Sequence, residues 1–540
     1  MRFTTSTFGT SSKPVTAATA AAVFLAFLAQ GAAAATRPAL SSAIEKIISR
    51  PALSRTLFGI EFYDLDKKRV VYAYNAHKVF KAASTTKLVT EGTTLALLGP
   101  DYRFHTRVYG TGPVDAAGTL QGDIIVVAAG DPNLSNRIQP DGTLAFQNED
   151  HSYDGSPDTK AVSGDPLSAL RDVAKQISAK GIHRVTGHVA IDTSLFPEGE
   201  VEGGTGVTIS PIVVNDNIVD VVVTPGARAG DPTTIAVSPQ TAYAAFTNAS
   251  KTGEAASDRG ITFPTDVVDA RGNRAITVGG TLPAGTAPIL YAYAVPSPRH
   301  FAEIALTQAL QDAGIGMPAL DKPADSVSAS ATAFYTPANL IAEHVSPPLS
   351  EDMKVTLKVS DNLHASMQPY LWGAVVAHAK SDYLKAGFAR EHTFLSRAGL
   401  DLHGADQSDG LGDAGSFAPD FMVNYLHFMT KQPHFAVFER ALPVLGIDGT
   451  LFNIQNGKPG AGHVHAKTGT WSQSDRLNTG TLITAKGLAG YITTKDGRHL
   501  AFCAYLNNLF VKHNADPAGE GHVAGQILGE IANAAYLYAP

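Results

Sequence analysis

The 540-residue chain has a single cysteine, Cys503. That excludes an intrachain disulfide framework and any multi-cysteine zinc or iron–sulfur site. Cys503 lies in the apolar run Leu500-Ala-Phe-Cys-Ala-Tyr-Leu506, where a small buried core residue is expected. An excess of basic charge is also missing. Lys and Arg number 42 against 49 Asp and Glu, a net charge of −7, which is not the footprint of a nucleic-acid binder. Charged residues make up only 17% and hydrophobic ones 44%, enough to bury a sizeable core and too apolar for intrinsic disorder. Beyond the N-terminus no hydrophobic run reaches spanning length, so no stable membrane span is expected.

What is present begins with an export signal. Arg2 and Lys13 precede an apolar stretch at 17–29 and a run of small residues ending at Ala35. Positive flank, short apolar run and small residues are the parts of a secretory signal. Residues 1–35 are therefore assigned as a signal peptide, and the mature protein is expected to be exported, periplasmic or extracellular.

Residues 58–63 and 69–74 read as strands joined by a polar turn, with a helix opening near Ser84 and stopping at Gly99-Pro100. From 101 to about 335, short β-like runs recur between Gly, Pro and Asp, with one helix near 166–180. Helical patterns return at 340–370, 372–398 and 419–431. A hairpin at Asp496-Gly497 and an amphipathic helix near 522–537 close the chain. The expectation is an α/β (α+β) domain built from 36–104 and 336–540, interrupted by a β-rich insertion of one or two subdomains at 105–335.

Three motifs carry chemistry. In Ser84-Thr-Thr-Lys87, positions i and i+3 share a helix face, so the hydroxyl can meet the amine. Serine is a poor nucleophile until a base takes its proton, and Lys87 can do so only if its pKa is lowered. In Ser360-Asp361-Asn362, a hydroxyl can relay a proton and an amide can hold a carbonyl. Asp361 is expected to point away, and helix-face packing is expected for His364. In Lys467-Thr468-Gly469-Thr470, a lysine and hydroxyls can grip a carboxylate, with glycine allowing close approach. His463 and His465 precede it on the same strand face. They have no acidic or cysteine partner in the sequence, so no metal site is assigned. A second tripeptide, Lys251-Thr252-Gly253, precedes Ser360 in a polar stretch and is rejected.

This ordered set is the one found in serine β-lactamases and penicillin-binding proteins. Over residues 45–535 the chain resembles the class C low-molecular-mass penicillin-binding proteins, the D-alanyl-D-alanine carboxypeptidase/endopeptidase family. Phe80-Lys-Ala-Ala-Ser-Thr-Thr-Lys87, Gly130-Asp-Pro-Asn-Leu-Ser135, Leu442-Pro-Val-Leu-Gly-Ile-Asp-Gly-Thr450 and Ala466-Lys-Thr-Gly-Thr470 carry the likeness, as do the 272 residues between Lys87 and Ser360. There are departures. Ala82 stands where relatives often have proline, and Asp409-Gly-Leu-Gly412 matches loosely. The connection 471–487 is longer than the family's and is expected to border the active site.

The resemblance implies a transpeptidase-like domain with a mainly antiparallel sheet flanked by helices. It implies Ser84 as nucleophile, Lys87 as base and Ser360 as proton relay. The backbone N–H groups of Ser84 and Thr470 would form the oxyanion hole. Asn362 would position the substrate, and Lys467, Thr468, Gly469 and Thr470 would bind its carboxylate. The implied substrates are peptidoglycan stem peptides, with β-lactams as covalent inhibitors and no cofactor or metal. The other readings are a related acyl-serine hydrolase, either β-lactamase or esterase, and a non-catalytic cell-wall-binding protein. If the right tripeptide has been chosen, Lys251→Ala leaves turnover of an acyl-D-Ala-D-Ala peptide within about twofold of wild type, as surface substitutions usually do. A large loss of kcat in a steady-state assay would show that the wrong copy was picked.

Overall fold

The computed structural model describes residues 39–538 apart from Asp154, residues 320–322, Asp325, Asn514 and Pro517. The signal assigned to 1–35 lies outside the described residues.

Both ends of the chain build one antiparallel sheet. Its order is Val464–Asp475, Gly480–Thr493, His499–Asn507, Leu57–Asp64, Arg69–Tyr74, and Leu509–Lys512 pairs with the start of the second strand. Strand side chains alternate between faces. Along His499–Asn507, Leu500, Phe502, Ala504 and Leu506 enter one core, and Ala501, Cys503 and Tyr505 enter the other. A strand covered on both faces reads as an unbroken apolar run, which is why Cys503 is buried. Helices Leu40–Ile48 and Glu520–Leu537 cover the first face through Ile44, Leu528 and Ile531. Lys87–Leu98, Leu349–Val359 and Pro419–Met429 cover the second through Leu88, Leu357 and Leu426. The α+β class and the flanked antiparallel sheet are thus as anticipated.

Some local expectations are corrected. The helical pattern assigned to 340–370 is a strand, Leu340–Val345, and then two helices, Leu349–Val359 and Asn362–Leu371. Pro347-Pro348 bars a continuous helix, since neither nitrogen can donate. Likewise 372–398 divides into a wide turn at Trp372–Val376 and a helix at Tyr383–Arg397. At the junction Gly373 lies so close to Tyr383 that a Cβ would sit 2.1 Å from its carbonyl oxygen. Helices Leu40–Ile48 and Pro298–Asp312 were not anticipated. The first does carry a readable stripe at Leu40, Ile44 and Ile47.

The stretch 105–335 forms sheets of its own. Ile218–Thr224 is flanked by Thr234–Ser238 and Ile289–Ala294, and Arg274–Pro283 pairs with three neighbours, including Lys251–Gly253. The rejected tripeptide is therefore a strand of this stretch. A third sheet, containing His105–Gly110, Ile124–Val127 and Val189–Asp192, is completed by Leu340–Val345.

A buried ion network fastens this stretch to the helices beside the large sheet. Arg137 grips Asp150 at 2.6 and 3.0 Å and Asp216 at 2.7 Å. His151 lies 2.8 Å from Asp216 and 3.0 Å from Asp220. Across the boundary, His364 lies 3.2 Å from Asp216 and 2.9 Å from Asp352, and Asn133 donates to Asp352 at 2.9 Å. Burial opposes the charge on Asp216, but Arg137 and the two imidazoles overcome it and hold the carboxyl well below the usual carboxylate range. The packing role expected for His364 is thus a charged one. Arg137→Ala takes the guanidinium from two buried carboxylates, leaving Asp150 without its paired cation, and is expected to cost about 3–5 kcal/mol in denaturant unfolding. A loss under about 1 kcal/mol would show that the network is not a fastening.

Candidate active site

Ser84 sits in a tight 3-10 turn, Ala83–Thr86, which feeds the helix Lys87–Leu98. Ala83 has a φ of +46°, a left-handed conformation costly for a residue with a Cβ. Its carbonyl lies under Gly412, where a Cβ would come within 2.2 Å of it. The strained turn thus lifts Ser84 to the mouth of a cleft of about 360 Å³. Tyr153, Gly203, Gly204, Asn362, Leu411, Gly412, Thr470, Trp471 and Ser472 line it with Ser84.

Lys87 is fully buried one helical turn behind the hydroxyl. Its Nζ lies 2.9 Å from Ser84 Oγ and 2.7 Å from Asn362 Oδ1, with Ser360 Oγ and the Leu411 carbonyl both at 3.4 Å. An ammonium has three protons, so the two short contacts carry most of the bonding. Burial lowers the Lys87 pKa to about 8, against the pull of Asp361, Glu202, Asp409 and Glu91, none of which is among its hydrogen-bond partners. Glu91, one turn further along, is itself kept far above the carboxylate range by burial and then by Asp352.

Ser360 ends the helix Leu349–Val359 in the left-handed region (φ +65°). Asp361 caps the next helix by accepting the His364 N–H at 3.0 Å. This abrupt junction presents Ser360 and Asn362 to Lys87 and turns Asp361 into the interior, as anticipated. Tyr153, from the stretch 105–335, has a single O–H proton, shared between the Ser360 carbonyl and Asn362 Oδ1 at 3.0 Å.

The third motif lies on the edge strand Val464–Asp475. Gly469 packs on the serine turn, where a Cβ would meet the Ala82 carbonyl at 2.5 Å and the Ser84 nitrogen at 3.0 Å. Thr468 Oγ1 lies 2.7 Å from Thr450 Oγ1. Lys467 is buried, with its Nζ on the Thr468 carbonyl at 2.9 Å. Burial, Lys87 and Lys486 hold its pKa well below the ordinary lysine value. Ser84, Asn362 and Thr470 therefore face the cleft, and Lys87, Ser360, Lys467 and Thr468 stand behind them. His463 instead stacks on Tyr536, with ring centroids 4.8 Å apart.

Several contributors went unread in the sequence. Glu202 ties down a loop by accepting the Gly204 and Thr205 N–H groups at 2.8 and 2.6 Å. That loop presses Gly204 on Asn362, where a Cβ would meet Nδ2 at 1.9 Å. The loosely matching Asp409–Gly412 segment forms the opposite wall, and Thr90 donates to the Gly410 carbonyl at 2.8 Å. Asp150, His151 and Asp216 come close enough to hold an ion, as do Asp216, Asp361 and His364. The network around Arg137 already engages these side chains.

The chain matches the D-Ala-D-Ala carboxypeptidase 3 (S13) family over residues 40–525. It is 27% identical over 488 residues to the D-alanyl-D-alanine carboxypeptidase of Actinomadura sp. strain R39, covering 86% of this chain and 80% of that one. It is 24% identical over 463 residues to the D-alanyl-D-alanine carboxypeptidase DacB of Haemophilus influenzae, covering 82% of this chain and 84% of that one. Its fold is similar to that of penicillin binding protein 4 of H. influenzae, solved in complex with a β-lactam. The TM-score is 0.65 at 20% identity, over 93% of this chain and all of the other. With a match spanning nearly the whole described chain, this protein belongs to the D-Ala-D-Ala carboxypeptidase 3 (S13) family.

Proposed function

We propose that the chain is a serine D-alanyl-D-alanine carboxypeptidase of peptidoglycan metabolism that works through an acyl-enzyme on Ser84. One observation carries the reading: a buried lysine amine, with no carboxylate in ion-pair contact among the described residues, 2.9 Å from an accessible serine oxygen. With a pKa of about 8, roughly a tenth of Lys87 is neutral at pH 7 and can take a proton.

In this reading Ser84 Oγ attacks the carbonyl carbon of the D-Ala-D-Ala bond as its proton passes to Lys87. The backbone N–H groups of Ser84 and Thr470 hold the oxyanion. The proton then travels from Lys87, with Ser360, to the nitrogen of the departing D-alanine. Water attacks the acyl-enzyme and frees Ser84. Asn362 positions the stem peptide, and Lys467, Thr468 and Thr470 receive the terminal carboxylate. The same transfer on a cross-linked stem peptide is a DD-endopeptidase reaction. A β-lactam carries its own strained acyl bond and a carboxylate, so it fits the same roles, in line with the complex of the H. influenzae protein. Such substrates lie outside the cytoplasm, where the signal at 1–35 would send the chain.

Ser84→Ala is expected to abolish both fluorescent-penicillin labelling and D-alanine release from a pentapeptide, with an unchanged circular dichroism spectrum. Retained labelling would refute the nucleophile assignment. Gly204→Ala is expected to push the Asn362 amide off Lys87. A displacement of that order slows acylation about ten- to a hundredfold while the thermal midpoint barely moves. A stopped-flow acylation rate equal to wild type would show that the loop does not hold Asn362.

A further inference from the structure

The longer connection after the third motif carries a third buried lysine beside the cleft. Lys486 lies directly across the strand pair from Thr470, and its Nζ donates to Thr470 Oγ1 at 2.7 Å. The side chain is almost fully covered and packs beside Gly525 of the C-terminal helix, where a Cβ would sit in ordinary contact, 3.6 Å from Nζ. Thr470 itself is exposed and lines the cleft with Ser84. Among the described residues, neither Lys486 nor Lys467 has a carboxylate within ion-pair distance. The groups that face Lys486 are Lys467 on the neighbouring strand and the half-buried Glu149, which in turn feels His522 and Asp158.

We propose that Lys486 is a positioning residue that sets a preference for leaving groups with a free α-carboxylate. A hydroxyl that accepts from an ammonium keeps its own proton free to donate elsewhere. Lys486 therefore turns the Thr470 O–H into the cleft and keeps a positive charge one hydrogen bond behind it. A carboxylate arriving at Thr470 gains a charge-assisted donor, and an amide or ester terminus does not. The inference rests on the carboxypeptidase reading and narrows it to the leaving group.

The test uses two peptides that differ only at the last residue, one ending in D-alanine and one in D-alaninamide. Lys486→Gln is expected to raise KM for the acid about ten- to a hundredfold, with kcat and the amide's KM changed less than about threefold. Lys486→Arg is expected to stay near wild type. Burial lowers the Lys486 pKa to about 8. The wild-type KM for the acid should therefore rise as pH passes 8, and arginine, which stays protonated, should remove that rise. Equal KM increases for both peptides would overturn the proposal, as would an arginine variant with the wild-type pH profile. The arginine arm decides the matter even if the glutamine variant fails to fold. Release of D-alanine by the wild-type enzyme tests the carboxypeptidase reading separately.

Discussion

A lysine amine kept in the protein interior, with no counter-ion in contact among the described residues, is the constraint around which this site is built. Burial disfavours the charged form of Lys87, and the surrounding oxygens of Ser84, Asn362, Ser360 and Leu411 return only part of what water would supply. A carboxylate in contact would settle the charge and remove the basicity. The nearest acids are arranged accordingly. Asp361 is turned inward to cap a helix, Glu202 is spent on backbone N–H groups, and Glu91 is held towards its neutral form. The amine is thus left between two states near neutral pH, which is where a base must sit to take and return a proton.

Keeping four acceptors in place around such a group demands rigid supports, and the stretch 105–335 supplies much of them. Tyr153 fixes the Ser360 carbonyl and the Asn362 amide, and the Gly203-Gly204 loop backs Asn362. Beneath them, Arg137 and His151 of that stretch bind the Asp216 carboxylate, which also holds His364, on the same helix as Asn362. Two residues of the second motif are therefore positioned from outside the large sheet, whose edge strand carries the third motif. Such an ionic anchor has value as register more than as stability, because burying charge offsets most of what the pairing gains.

The convergence of the motif residues was legible because motif spacing survives folding. Ser84 and Lys87 meet through helical periodicity, and Lys467 to Thr470 alternate on a strand. The sheet was legible from Leu500–Leu506, where an apolar run marks a strand covered twice. Tyr153 and Gly204 were not, because their meaning lies in contacts more than a hundred residues away, and Arg137 was not, because its partners Asp150 and Asp216 stand 13 and 79 residues on, with no local pattern to record them. The strand Leu340–Val345 was misread for a similar reason. Its apolar spacing fits either period, and only its pairing with His105–Gly110 decides. His364 looked like packing because nothing nearby in sequence shows that Asp216 and Asp352 converge on it.

Electrostatics binds these pieces together. Three lysines, Lys87, Lys467 and Lys486, stand behind one cleft wall with no carboxylate in contact among the described residues, and each is depressed first by burial. Lys467 also feels the other two. The wall is therefore short of negative charge until an anion arrives. A carboxylate at Thr470 would favour the charged forms of Lys467 and Lys486, which is the direction that strengthens its own binding. It would also favour the charged form of Lys87, the direction that weakens a base. The layout separates these effects, because Lys486 acts through Thr470 on one side of the cleft and Lys87 is screened by Ser84 and Asn362 on the other. Interaction energy falls with distance and with intervening polar groups. Charge capture and proton transfer can then share one cleft because they are assigned to different amines.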